Sequence, residues 1–451
     1  MNIVLSFSSL CILLIIGKFL RVKVKLLQKL YLPSSVLGGI IGLILIQIIG
    51  TNTVSDFIHG WVELPGFLIN IVFATLFLGV TIPSISVIWK WSGPQLAYGQ
   101  IVVWGQYLVG MMLVLFLLKG VFGIPDLFGV IVPVGFEGGH GTAAGLRETF
   151  EHLSWIEGSD YCLSSATLGI ISAIVIGIIL INWAASKGYL EVLEKRDVSL
   201  KDNTGLYAVD ERPSAGNQTT SADSIDSLAF HLSIIGIAVL IGLGIKLGLV
   251  GLESLFSRSG ESTIFIGFPL FPLCMIGGLL IQLFLSKVSK INPVDHTLMQ
   301  RIGGTALDFL VVAAISTIHL QVVFNNIVPF LLIILSGIIW NVLCIIWLAR
   351  RLLPDCWFER AIAEMGQSMG VTATGLLLLR IVDPEQKTVA TSAFGYKQLL
   401  HEPFMGGGLW TSTAVLLVAG YGGWIVLAVS SAAIFVWLIV WRLFLKSKSA
   451  E

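Results

Sequence analysis

Two short stretches of the chain combine residue types suited to holding a charged solute. They are Glu137-Gly138-Gly139-His140-Gly141-Thr142 and Gly366-Gln367-Ser368-Met369-Gly370-Val371-Thr372-Ala373-Thr374. Glycine leaves backbone N–H groups uncovered, and a helix that starts after such a run directs its positive end at an anion. Gly138, Gly139, Gly141 and Gly370 would let a ligand approach the backbone. His140, Thr142, Gln367, Ser368, Thr372 and Thr374 add side-chain hydrogen bonds. Hydroxyls and unwound carbonyls also suit Na+. The plain alternative, glycine serving only close packing, fits Gly145 and Gly375 better than a run that holds a His and a Glu.

Four carboxylates, Glu137, Asp308, Glu364 and Glu402, lie in apolar surroundings. At membrane depth each costs about 2.5–3.5 kcal/mol on insertion scales, so such groups face a cavity or the protein interior and are candidates for ion binding or coupling. Asp308 either pairs with a substrate ammonium or Na+, or caps its helix near Gly303-Gly304. His140 reads as a fixed donor, His319 and His401 as satisfied interior groups, and Lys246 as a snorkelling side chain. Residues 366–370 also fit G-x-S-x-G, which raises the remote alternative of an intramembrane serine protease. The motif lacks a strand-to-helix setting, so the chain is not read as an enzyme.

The elements that must position these groups follow from composition. Of 451 residues, 55% are hydrophobic and 12% charged, with mean hydropathy +0.91. That excludes an ordinary soluble fold and implies an all-α polytopic membrane protein in contact with lipid. Net charge is zero, which gives no reason to expect a nucleic-acid partner, and no cofactor is called for. The five cysteines lack metal-ligand spacing and read as packing residues. No Lys or Arg precedes the apolar run 3–17, and a basic cluster follows it, as for a retained first helix rather than a signal peptide.

Crossing a bilayer takes about 20 apolar residues. Eleven segments qualify: 3–19, 33–50, 67–88, 97–118, 162–185, 228–249, 265–286, 305–323, 327–349, 398–419 and 424–445. Two more, 128–146 and 359–379, have Gly-rich polar centres and are expected to be re-entrant hairpins. With that choice and a periplasmic N-terminus, 23 of the 27 Lys and Arg fall on the cytoplasmic side and 3 outside. If both hairpins crossed, the count would be 14 against 12 and the positive-inside asymmetry would vanish. The C-terminus is then cytoplasmic. Residues 187–227 form a polar cytoplasmic linker, where the Asn217-Gln218-Thr219 sequon would go unmodified.

The sequence repeats. Pro33 with Gly38-Gly39 recurs as Pro272 with Gly277-Gly278, 239 residues later; Asp126 corresponds to Asp355, and His140–Leu146 to Met369–Leu376. The expected organisation is a first repeat 1–186, the linker 187–227, a second repeat 228–419, and an extra C-terminal helix and tail at 420–451. Each repeat holds five crossings and one hairpin, an odd number, so the copies have inverted topology, as in secondary transporters.

On the Glu137–Thr142 run, the second Gly-rich run, the basic loop after the first helix and the central linker, the chain resembles the glutamate:sodium symporter family. The second run lacks the Phe and Pro usual in that family's signature. The resemblance implies a homodimeric inner-membrane importer that couples glutamate to Na+, holds substrate between the hairpin tips and moves in an elevator-like manner on a static scaffold. A sodium- or proton-coupled carrier of another small organic anion is the alternative, and a channel is the competing class. The topology is testable: a cysteine introduced at Lys201 should react with an impermeant thiol reagent only from the cytoplasmic face. Labelling from the periplasm would show that the hairpins cross.

Overall fold

The computed structural model describes residues 2–30, 32–50, 55–80, 85–190, 204, 206–207, 209–256, 264–288, 292–384 and 386–445, and their regular structure is entirely helical. Lipid leaves a spanning segment no water to bond, so its backbone must satisfy itself, which these apolar runs do as helices. In chain order they are α1 (Asn2–Lys23), α2 (Ser34–Ile49), α3 (Ser55–Thr75), α4 (Ile85–Leu113), α5 (Gly139–Gly145), α6 (Gly158–Ser186), α7 (Ser227–Phe256) and α8 (Phe271–Val288). There follow α9 (His296–Ser316), α10 (Ile327–Leu343), α11 (Trp357–Met369), α12 (Thr372–Val382), α13 (Ala390–His401), α14 (Leu409–Tyr421) and α15 (Gly423–Val440). Among the described residues, 8 helices are long and apolar enough to cross a membrane. Shorter apolar helices occupy Ser34–Ile49, Gly60–Thr75, Thr372–Val382 and Leu409–Tyr421.

Four of the apolar segments read in the sequence differ from the observed helices, among them 97–118, whose helix α4 already starts at Ile85. The third, expected at 67–88, spans Ser55–Thr75, because a helix tolerates the polar turn around Glu63 that hydropathy alone rejects. Just past its end the chain turns at Gly79 (φ +76°), whose N–H donates to Gln282 Oε1 at 2.8 Å while Gln282 Nε2 donates to Val80 O at 3.1 Å. The segment at 305–323 begins instead at His296, capped by Asp295, which accepts from Leu298 N–H. Asp308 therefore does not cap this helix. The segment at 398–419 is two helices, α13 and α14, interrupted at 402–408, where Pro403 and Gly406-Gly407-Gly408 break it. Of the linker, residues 191–203, 205 and 208, which include Lys201, lie outside the described residues, as do the Asp56 side chain and Lys446 and Lys448.

Two compact units result, each drawing on both halves of the sequence. The first comprises 1–82, 144–156 and 199–318 and contains α1–α3 and α7–α9. Its helices meet through glycine. A methyl group at Gly38 would lie 2.7 Å from Leu13 O on α1, and one at Gly39 2.7 Å from Ile315 on α9. The second glycine pair does the equivalent: Gly277 abuts Ala238 O on α7, and Gly278 abuts Ala74 O on α3. Lipid offers no hydrophobic drive for helices to associate, so such close approach supplies the packing that does. Apolar clusters fill the remainder, including Ala74, Ile235, Ala238, Cys274 and Met299, and Leu10, Leu13, Trp61 and Val312.

The second unit comprises 83–143, 157–198 and 319–451 and contains both Gly-rich stretches. Gly38→Leu should lower the stability of the first unit by about 1–3 kcal/mol through overpacking. Thermal unfolding of the detergent-purified protein measures this, and an unchanged midpoint would show that α1 and α2 do not pack at Gly38.

Candidate functional site

In the second unit each Gly-rich stretch forms a tip between two helical arms. The first arm, Asp126–Val130 and Pro133–Glu137, is wound as 3₁₀ and π turns, and the chain re-enters a helix at Gly139 with φ +67°. The second pairs α11 with α12, which turn about Gly370 and pack through glycine, since a methyl group at Gly366 would lie 2.7 Å from Gly375 Cα. The two tips touch. A methyl group at Gly139 would come within 3.2 Å of Val371 Cγ1 and 3.6 Å of Gly370 O. Thr142 Oγ1, buried and without a hydrogen-bond partner, faces Gly407 (φ +89°) in the α13–α14 break.

Beneath the tips lies a largely buried polar cluster. Gln367 Nε2 on α11 donates to Glu137 Oε1 at 2.5 Å, joining the two hairpins. His401 Nε2 on α13 reaches the same oxygen at 2.7 Å. The tautomer of His401 follows from its other neighbours. Trp104 Nε1 donates to Gln100 Oε1 at 3.0 Å, which turns the Gln100 amide nitrogen onto His401 Nδ1 at 3.2 Å. Nδ1 thus accepts, Nε2–H donates, and the imidazole is neutral. Glu137 Oε2 is buried with no protein partner.

A second carboxylate is fully compensated. Lys397 Nζ donates to Glu364 Oε1 at 2.7 Å, Gln398 Oε1 at 2.9 Å and Gln367 Oε1 at 3.0 Å. Both charged side chains are 0% exposed. Gln95 Nε2 donates to Glu364 Oε2 at 2.9 Å. Gln398 Nε2 extends the cluster to Thr372 Oγ1 at 2.7 Å, and Thr372 donates to half-buried Glu402 at 3.4 Å.

The residues singled out in the sequence divide accordingly. Glu137, Glu364, Gln367, Thr372 and Glu402 belong to this cluster. Gly138, Gly139, Gly141, Thr142 and Gly370 shape the tips, and Thr374 is buried against Gly370. His140 donates to Thr167 Oγ1 at 2.9 Å, because the Thr167 hydroxyl is itself spent on Leu163 O. Ser368 donates to Asn341 Oδ1 at 2.6 Å, while Gln106 Nε2 donates to Ser368 O. The residue in the G-x-S-x-G pattern thus has an asparagine, not a base, as its partner. Asp308 stands apart, exposed on α9 of the other unit.

The sequence reading overlooked several members. Lys397, one of the 23 Lys and Arg that the charge pattern puts on the cytoplasmic side, is buried within α13. Gln95, Gln100 and Gln106 on α4 and Asn341 on α10 carried one available signal, amide side chains in otherwise apolar helices.

Compared with protein-family models, the chain matches the sodium/glutamate symporter over residues 1–382. Comparisons with curated proteins and with solved structures give no match. Lys397, His401 and Glu402 lie beyond the matched stretch. Both Gly-rich tips, Glu137 and Glu364 fall inside it, and with 382 of 451 residues covered the chain belongs to the sodium/glutamate symporter family.

Proposed function

We propose that this chain imports glutamate with Na+ across the inner membrane by alternating access, holding the amino acid between the tips at 138–142 and 367–374. Membership of the sodium/glutamate symporter family makes it a sodium-coupled secondary transporter. The observation that carries the binding site is the meeting of Gly139 with Gly370 and Val371. Glutamate brings two carboxylates and an ammonium. The carboxylates suit backbone N–H groups at the start of α12, with Thr142 as a hydroxyl that has no hydrogen-bond partner. The ammonium and Na+ suit the uncompensated edge of Glu137.

The inverted-repeat reading, with eleven crossings and two re-entrant hairpins, is supported by the matched glycine contacts of α2 and α8. Gly38 packs on α1 as Gly277 packs on α7, and Gly39 on α9 as Gly278 on α3. The first unit also takes corresponding leading stretches of the two repeats, 1–82 and the part of the second repeat up to 318, although 144–156 joins it from the first repeat alone. Two glycine-lined tips at equivalent repeat positions would then open to opposite faces, with a periplasmic N-terminus, a cytoplasmic C-terminus and a homodimeric assembly completing the reading.

Uptake of radiolabelled glutamate into proteoliposomes should require an inward Na+ gradient, and accumulation that is unchanged when choline replaces Na+ at fixed pH would refute the coupling. Single cysteines at Thr142 and Thr372 should both be protected from alkylation by glutamate with Na+. Protection at one tip alone would mean that the hairpins do not share a site.

A further inference from the structure

We propose that Lys397 is a resident cation, which permanently fills one of two carboxylate-based cation positions beneath the tips and leaves Glu137 as the position for mobile Na+. The inference rests on the sodium-coupled reading and extends it to how coupling charge is apportioned.

The surroundings of Lys397 carry the argument. Its Nζ meets one carboxylate oxygen and two neutral amide oxygens, from Glu364, Gln367 and Gln398, at 2.7, 3.0 and 2.9 Å. Three acceptors match the three N–H groups of an ammonium and leave none unsatisfied. The same set, an anionic oxygen with neutral carbonyl oxygens, is what a hard monovalent cation selects. The ammonium thus occupies a cage that is chemically an alkali-cation site, tethered through α13.

Within this cluster the charges then fail to cancel. Glu364 and Lys397 neutralise each other, and His401 is neutral in the tautomer fixed by Gln100 and Trp104, so its hydrogen bond brings Glu137 no full positive charge. Glu137 keeps a buried oxygen with no protein partner. The nearest compensation is indirect: Lys397 draws the Gln367 carbonyl to itself, which turns that amide's N–H onto Glu137. A buried carboxylate in this state calls for a cation from outside. In the mobile role Glu137 and Glu364 are therefore not equivalent, because Glu364 already has its cation.

The test uses the full-length protein in proteoliposomes and reads the Na+ dependence of glutamate uptake. Lys397→Met removes the tethered charge and leaves the Glu364 cage empty. Half-saturating Na+ should rise about tenfold or more, and the dependence should become steeper, because a second ion must now enter. Adding Glu364→Gln removes the demand for that ion, so the double variant should recover uptake and return to the shallower dependence of the parent. Recovery of uptake by the double variant from an inactive single variant also supports the proposal, since only charge distinguishes them at that site. A single variant with the parent's Na+ dependence, or a double variant as impaired as the single, in transport or in folding, overturns it and makes Lys397 a packing residue. If the underlying sodium reading were wrong, the parent itself would be indifferent to Na+, which keeps the two failures distinct.

Discussion

An ionised side chain taken out of water must find opposite charge and hydrogen bonds within a few ångströms, and the second unit is organised around two carboxylates under that demand. Glu364 meets it through Lys397 and Gln95, while Glu137 finds hydrogen bonds from His401 and Gln367 but no opposite charge and keeps one oxygen without a partner. These bonds tie α4, α11, α13 and the first hairpin together. Removing one partner of a buried pair costs about 3–5 kcal/mol, against about 0–1 for a surface pair such as Arg147 with Glu151. The hairpins' mutual position is consequently set more by this cluster than by any pair at the surface.

Glycine supplies the complementary constraint. The polar cluster can close only if its backbones approach, and a Cβ would lie closer to backbone than van der Waals contact allows at Gly366 and Gly375, and at Gly169 against Met369 O. The same device joins α2 to α1 and α9 in the first unit. Where a methyl group would meet another helix's backbone rather than a flexible side chain, nothing can yield cheaply, and the position admits glycine alone. At Gly139 and Gly407 positive φ adds a conformational reason, and these two bound the region where Thr142 remains without a partner. Thr142 at the tips and Glu137 beneath them thus each keep hydrogen-bonding capacity that no protein group takes up.

Local composition by itself determined a good deal. Helical membrane class follows from apolar runs that lipid permits only as helices, and the Gly-rich stretches at 137–142 and 366–374 stand out because such runs are unusual at membrane depth. Helix ends were less legible. Hydropathy averages over a window, so it passed over Glu63 inside α3 and Asp295 at the start of α9, and it ran across the break at 402–408.

Which distant side chains would share a charge was decided only by tertiary structure. Glu137 and His401 are separated by 264 residues and Gln95 and Glu364 by 269, so no local window relates them. Lys397 looked like a loop cation because charge is read one residue at a time, whereas its burial is affordable only when Glu364, Gln367 and Gln398 converge on it. Asp308, also an acidic residue in an apolar segment of the sequence, is exposed on α9 of the first unit. Residue type fixes what a group can bond; the packing of the helices fixes which bonds are left for a solute.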